Sequence, residues 1–374
     1  MNIPFHKPHI TQKEIDSVCA VLQSGWLTMG PITNEFEIAF RELIGKKFAI
    51  SVNSATSALH LALNAVGINK NDEVIIPTNT FVSTAEVVVY LGAKPVLCDV
   101  EGKNHNINID GIKKLITPKT KAIIPVHFGG HPCRMDEILN IAHKYNLKVI
   151  EDAAHALPSS YKGNKIGGMS DATCFSFYAT KTLTTGDGGM VVTNDERISK
   201  KISLQRLHGI QGNAWNRYKS NSSWNYEVID IGYKYNTTDI QSAIGIVQLE
   251  KLEWMREKRK IIAEKYIDAF NGKVEYINES PDCQTSWHLF VIKITNRNEL
   301  HEKLTSHGIH TSVHFIPIHK HPYYNERFQY KDEEYPIANN LFKESLSLPI
   351  YPGLTETETD YIISTVLKYA NKKL

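Results

Sequence analysis

Apolar residues along this chain fall into short continuous runs separated by amphipathic stretches. Seven runs stand out: Phe48–Val52, Glu73–Pro77, Pro95–Val100, Ala122–His127, Lys148–Ala153, Cys174–Tyr178 and Gly189–Asn194. They are rich in β-branched residues and lack polar alternation, the signature of strands covered by helices on both faces. Between the first two, "NSATSALHLALNAVG" places Leu59, Leu63 and Val66 on one helical face and ends at Gly67. The alternation predicts an α/β fold with a seven-stranded, mostly parallel sheet. From Thr237 to Phe270 a helical period runs through Ile240, Ile244, Val247 and Leu252, opened by a capping-box pattern at Thr238 to Gln241. A helix of that length bridges two domains. Beyond it lie the apolar run Ser286–Ile294, a helical stretch from Leu300 to Ile309, a strand-like "TSVHF" and a final helix from about Glu356. These suit a smaller α/β domain over 248–374, after a large domain over 1–247.

Composition narrows the class. Of 374 residues, 42 are basic and 40 acidic, and the two signs are interspersed, so nothing marks a nucleic-acid or anionic-membrane partner. The start of the chain has no apolar signal core, and no apolar run approaches the ~20 residues that cross a bilayer. A cytoplasmic protein is expected. The five cysteines (Cys19, Cys98, Cys133, Cys174 and Cys283) are far apart and never in a CxxC pair, which argues against disulfides and a zinc site.

In open α/β sheets ligands bind beyond the carboxyl ends of the strands, and the residues there form a coherent set. After the first strand, Asn53, Ser54, Ala55 and Thr56 open a helix whose N-terminus offers free N–H groups to a phosphate. Phe81 follows the second strand on a turn. The fifth strand ends at Asp152, a carboxylate in apolar surroundings that calls for a cationic partner, with His155 close behind. The sixth supplies Ser176 and, five residues later, Lys181. Taken singly, each is ordinary: a lysine after a strand is usually solvated, and an aromatic on a turn usually caps the core. Together they match one ligand. Pyridoxal phosphate needs a phosphate cradle, a stacking ring, an anion beside its ring nitrogen and a lysine amine for a Schiff base. The glycines Gly186, Gly188 and Gly189 suit a tight turn between strands.

The stretches "SGWLTMGP", "NSATSALHLAL", "VIEDAAHALPSSYKG", "FSFYATKTLTTGDGGMVVTND" and "GYKYNTTDIQSAIGIVQLEKLE" resemble the DegT/DnrJ/EryC1/StrS family of fold-type I aminotransferases of nucleotide sugars. The resemblance spans nearly the whole chain. Within the family, "GYKYN" and "WHLF" are similar to the group that forms 4-amino-4-deoxy-arabinose on a UDP carrier. The resemblance implies that Lys181 is the Schiff-base lysine, that Asp152 faces the pyridine nitrogen, and that Ser176, Ala55 and Thr56 hold the phosphate. Phe81 then stacks on the ring, and His155 lies near its phenolic oxygen or opposite face. Many relatives read "GYNYR", and their asparagine reaches the phosphate of the neighbouring subunit's cofactor. Here Lys234 takes that position and Asn236 replaces the arginine, so Lys234 is expected to meet the phosphate as a point charge. Trp26, His314 and Tyr323 are placed near the sugar nucleotide.

The implied activity is transfer of an amino group from glutamate, which leaves as 2-oxoglutarate, to a nucleotide-linked 4-keto sugar. The setting is surface polysaccharide biosynthesis, such as lipopolysaccharide O-antigen, and the assembly a homodimer with shared active sites. Three alternatives have sequence-level discriminants. A pyridoxamine-phosphate sugar dehydratase carries histidine where this chain has Lys181. A regulatory protein on the same fold has no use for the full cofactor set. A dinucleotide oxidoreductase calls for GxGxxG after the first strand, which is missing. The histidines His307, His310, His314, His319 and His321 lack a carboxylate or cysteine at ligand spacing, which disfavours a metal.

Overall fold

The computed structural model describes residues 1–211 and 226–370. In chain order its strands are β1 (Phe48–Val52), β2 (Glu73–Pro77), β3 (Lys94–Cys98), β4 (Thr120–Ile123), β5 (Lys148–Asp152), β6 (Ser160–Tyr161), β7 (Asn164–Lys165), β8 (Ala172–Ser176), β9 (Gly189–Thr193), β10 (Glu275–Tyr276), β11 (Cys283–Gln284), β12 (Phe290–Lys293) and β13 (Ser345–Leu348). Seven of them form the expected sheet, in the order β1-β9-β8-β5-β4-β2-β3. Only β9 runs against its neighbours.

Side chains on these strands alternate between two cores. Ile75, Ile123, Val149, Phe175 and Met190 enter one; Val74, Ile76, Ala122, Ile150, Cys174 and Val191 enter the other. Both faces of the sheet are buried, which is why the strands read as unbroken apolar runs. The helix Ala55–Ala65 is buried on every side from Ser57 to Leu63, whereas Val66 is part-exposed at its C-cap, so the one-faced pattern through Val66 understates its burial.

A third core gathers around the three-stranded sheet β10-β12-β13, and Ile3 from the N-terminal arm belongs to it. Two expected elements differ. The long helix is two helices, Asp239–Glu250 and Leu252–Phe270, with a break at Lys251 (φ −108°, ψ 9°). Packing explains the break: the first helix buries Ala243, Gly245 and Val247, while the second turns Ile262, Tyr266 and Phe270 into the third core. The capping box at Thr238 and Gln241 is present. The segment "TSVHF" forms no strand; a single bridge joins Ser312 to Ser347.

Candidate active site

The strand order brings the chemistry-bearing residues together. Because β9 is inserted antiparallel between β1 and β8, its first residue, Gly189, pairs with both Val52 and Ser176. The start of β9 therefore lies beside the carboxyl ends of the two strands that carry the Ala55 helix and Lys181. A Cβ on Gly189 would stand 2.5 Å from the Ser54 carbonyl and 2.8 Å from the Ala55 nitrogen. This is a close approach of backbones rather than the turn expected from sequence; of the three glycines, Gly186 has the positive φ (84°) that a turn demands.

One cavity of about 610 Å³ opens at these strand ends. Ala55, Thr56, Phe81, Asp152, His155, Ser176, Lys181 and His314, all singled out from sequence, line it. Lys234, Trp26 and Tyr323 do not. Lys234 is exposed, and its carbonyl accepts from Asn53 Nδ2 at 3.4 Å. Trp26 packs over Gly30 and donates to the Met29 carbonyl at 3.3 Å. Tyr323 is 53% exposed and accepts from Arg327 at 2.9 Å.

At one end of the cavity, Ser54 caps the helix by accepting from Ser57 N at 3.1 Å. The amides of Ala55 and Thr56 lie in the first turn, where the helix itself offers no acceptor. Asp152 is 5% exposed and accepts from Thr84 Oγ1 at 2.8 Å and Ala154 N at 3.2 Å. Thr84 spends its one proton there, so the 2.8 Å contact between Thr80 and Thr84 has Thr80 as donor. Burial raises the Asp152 pKa, opposed by these bonds and by the Lys181 charge. No residue makes a salt bridge with Asp152 among the described residues, so the cation expected beside it is not a close protein partner. Lys181 has its amine pushed down to about 8 by desolvation, with Asp152 pulling the other way.

His155 accepts from Gly129 N through Nδ1 at 3.2 Å, and burial holds it neutral. Its proton therefore sits on Nε2. Its ring packs on His288 (4.3 Å between centroids) and on Phe315 (5.9 Å). Phe81 is 56% exposed at the rim, 5.9 Å from Phe315. His314 bonds to Ser347 Oγ at 2.9 Å and stacks on Phe5 at 5.5 Å.

Sequence reasoning missed Thr80, Thr84, Phe5, Tyr178, His288 and Phe315. The i,i+4 spacing of Thr80 and Thr84 was visible, but their link to Asp152 depends on which strands are neighbours. These residues fit pyridoxal phosphate. The helix start can cradle a phosphate against a strand that only glycine lets approach, a buried carboxylate lacks a close cation, and an amine with a lowered pKa shares the cavity.

Residues 8–367 match the DegT/DnrJ/EryC1/StrS aminotransferase family. The chain is 45% identical over 373 residues to the spore coat polysaccharide biosynthesis protein SpsC of Bacillus subtilis, covering 97% of this chain and 96% of that protein. Among solved structures it is similar to the putative sugar aminotransferase Spr1654 of Streptococcus pneumoniae, determined in PLP and PMP forms. That likeness has a TM-score of 0.92 at 31% identity and covers 98% of each chain. Helicobacter pylori PseC, an aminotransferase involved in pseudoaminic acid biosynthesis, also superimposes at TM-score 0.92 and 31% identity, covering 98% of this chain and 99% of its own.

Proposed function

Because the chain belongs to the DegT/DnrJ/EryC1/StrS aminotransferase family and is a PLP-dependent sugar aminotransferase, we propose that it moves an amino group from glutamate to the 4-keto carbon of a nucleotide-linked deoxysugar. The observation that carries this reading is the shared cavity, where half-buried Lys181 and buried Asp152 meet the helix start at Ala55 and Thr56. The choice of carbon 4 is supported by the likeness of "GYKYN" and "WHLF" to the enzymes that aminate that carbon. A place in surface polysaccharide biosynthesis draws support from the name of SpsC, a spore coat polysaccharide biosynthesis protein.

Each residue then has a physical task. The Ala55 and Thr56 amides and the Ser176 hydroxyl bind the phosphate at the positive end of the helix dipole. Phe81 covers one face of the cofactor ring, and His155 offers its Nε2–H. Asp152 holds the proton on the pyridine nitrogen, since a buried carboxylate short of a cation is stabilised by a pyridinium beside it. The bound cofactor supplies the electron sink for charge at the donor's α-carbon. Lys181 Nζ, with a pKa near working pH, takes the proton from that carbon and serves the sugar half-reaction in the reverse sense. Lys234, exposed and outside its own chain's cavity, reaches the phosphate of the other subunit in a cytoplasmic homodimer. Trp26, His314 and Tyr323 contact the sugar nucleotide. A panel of UDP-, dTDP- and GDP-linked 4-keto sugars, assayed with glutamate, should yield an amino sugar and 2-oxoglutarate with one nucleotide class. No product from any of them, in protein shown to carry pyridoxal phosphate, would refute the substrate assignment.

A further inference from the structure

Arg259, on the helix Leu252–Phe270, is only 1% exposed. Its Nη1 donates to the carbonyls of Trp287 at 3.3 Å and Ile350 at 2.7 Å, and its Nε meets no partner among the described residues. No carboxylate pairs with it there either, so a guanidinium is held in the interior unneutralised. Retaining such a group is costly. Among the other buried nitrogens without a partner are His6 Nε2 and His288 Nδ1, the latter on the residue that follows Trp287, whose carbonyl Arg259 holds. Both rings feel the Arg259 charge.

The three unpartnered atoms make sense together. Burial pushes the His6 pKa down to about 3, so its ring is neutral, and its Nε2 has no partner among the described residues. At His288, a proton on Nδ1 would bury an unmet donor in the field of a cation. The other tautomer leaves a lone pair at Nδ1 in that field and puts the proton on Nε2. His288 lines the cavity, so its Nε2–H is the donor available there.

Among the described residues the cavity wall contains no arginine, and its one lysine is Lys181, whose amine the transfer chemistry uses. Anions entering this space are of two kinds. The diphosphate of a nucleotide sugar is joined through carbon 1, several bonds from carbon 4. An amino donor's α-carboxylate is bonded directly to the reacting carbon, so it must settle next to Lys181. His288 is close enough to Lys181 to feel its charge.

We propose that His288, backed by the buried Arg259, forms the subsite that receives the α-carboxylate of the amino donor. The inference rests on the aminotransferase reading above and names the residues that recognise its first substrate. His288 donates Nε2–H to a carboxylate oxygen, and Arg259 fixes that tautomer while lending positive potential to this wall.

The test separates the two half-reactions in the holoenzyme. In His288→Leu the half-saturating concentration of glutamate should rise by about 10- to 100-fold, the loss expected for one charge-assisted hydrogen bond. The value for the amino sugar in the opposite half-reaction should stay within about threefold. His288→Gln, which restores an N–H at a similar reach, should recover most of the glutamate affinity. Calorimetric titration of the pyridoxamine-form enzyme with 2-oxoglutarate should show the same ranking without turnover. The proposal fails if His288→Leu leaves glutamate saturation unchanged, or weakens both substrates equally, while wild type is converted normally. Wild-type holoenzyme unconverted by glutamate would instead refute the donor assignment, and this subsite with it.

Discussion

Two adjacent carboxylates on β5, Glu151 and Asp152, lead opposite lives. Glu151 is wholly buried and accepts from His127 Nε2 at 2.9 Å, Ser170 Oγ at 2.5 Å and Thr173 Oγ1 at 2.8 Å. His127 in turn takes a bond from Cys133 N through Nδ1, which fixes the ring with Nε2 toward Glu151. These donors outweigh desolvation and hold the Glu151 carboxyl below its ordinary pKa. Asp152, one residue on and facing the cavity, has a single side-chain donor, and burial wins. A carboxylate fully served by hydrogen bonds needs nothing further and does structural work. One that is underserved is poised to accept a cation from outside the chain.

The largest break in this contrast comes from removing the amine that shares Asp152's cavity. Lys181→Ala should lower transamination by at least ~10³-fold, since it removes both the anchor and the proton carrier. The apoprotein should tell a different story. A lysine whose folded pKa is near 8 rather than 10.5 leaves the folded state with fewer bound protons between those values. The penalty is full below about pH 8 and fades as pH rises toward 10.5. Lys181→Ala apoprotein should therefore melt above wild type at pH 7, with the gap closing by pH 10.5. A gap independent of pH would mean that the lysine is solvated.

The second pair of variants crosses the comparison itself. Asp152→Asn should reduce turnover by at least ~10²-fold and cost the apoprotein no stability, because an underserved buried charge is removed. Glu151→Gln should do the reverse, losing ~1–3 kcal/mol in chemical denaturation as its amide meets donors, while the folded holoenzyme keeps its rate within about tenfold. Equal loss of activity in both would erase the distinction. The smallest effect belongs to Thr84→Val, which leaves Asp152 with one backbone donor. A three- to tenfold fall in rate is expected, with cofactor affinity little changed, read by steady-state kinetics and titration of the apoprotein with pyridoxal phosphate. An unchanged rate would show that the Thr80–Thr84 relay is dispensable.

Much of the site was legible because its residues sit where a short-range pattern ends. Asp152, Ser176 and the Ala55 helix start each close an apolar run, and in an α/β sheet those ends converge whatever the strand order. Lys181 follows at a fixed distance. Gly189 was misread because its partner, the Ser54 backbone, is distant in sequence and becomes a neighbour only through the antiparallel insertion of β9. Lys234, Trp26 and Tyr323 were placed by resemblance rather than by local pattern, and in the single chain they lie outside the cavity.

The sequence by itself determined the number and type of the sheet strands, the helix at Ala55 and the cap at Thr238, because hydrophobic period and capping chemistry act over a few residues. That Glu151 and Asp152 point to opposite faces was also implicit in the two-residue period of a strand. Which face holds the cavity, and hence which carboxylate lacks donors, was decided only when Thr84 and His127 from two crossovers, Ser170 and the β8 residue Thr173 were packed against β5. The same holds for Arg259, whose solitary charge beside His6 and His288 joins segments more than 250 residues apart. Desolvation and hydrogen-bond supply depend on every atom around a group, and no local stretch of chain contains that information.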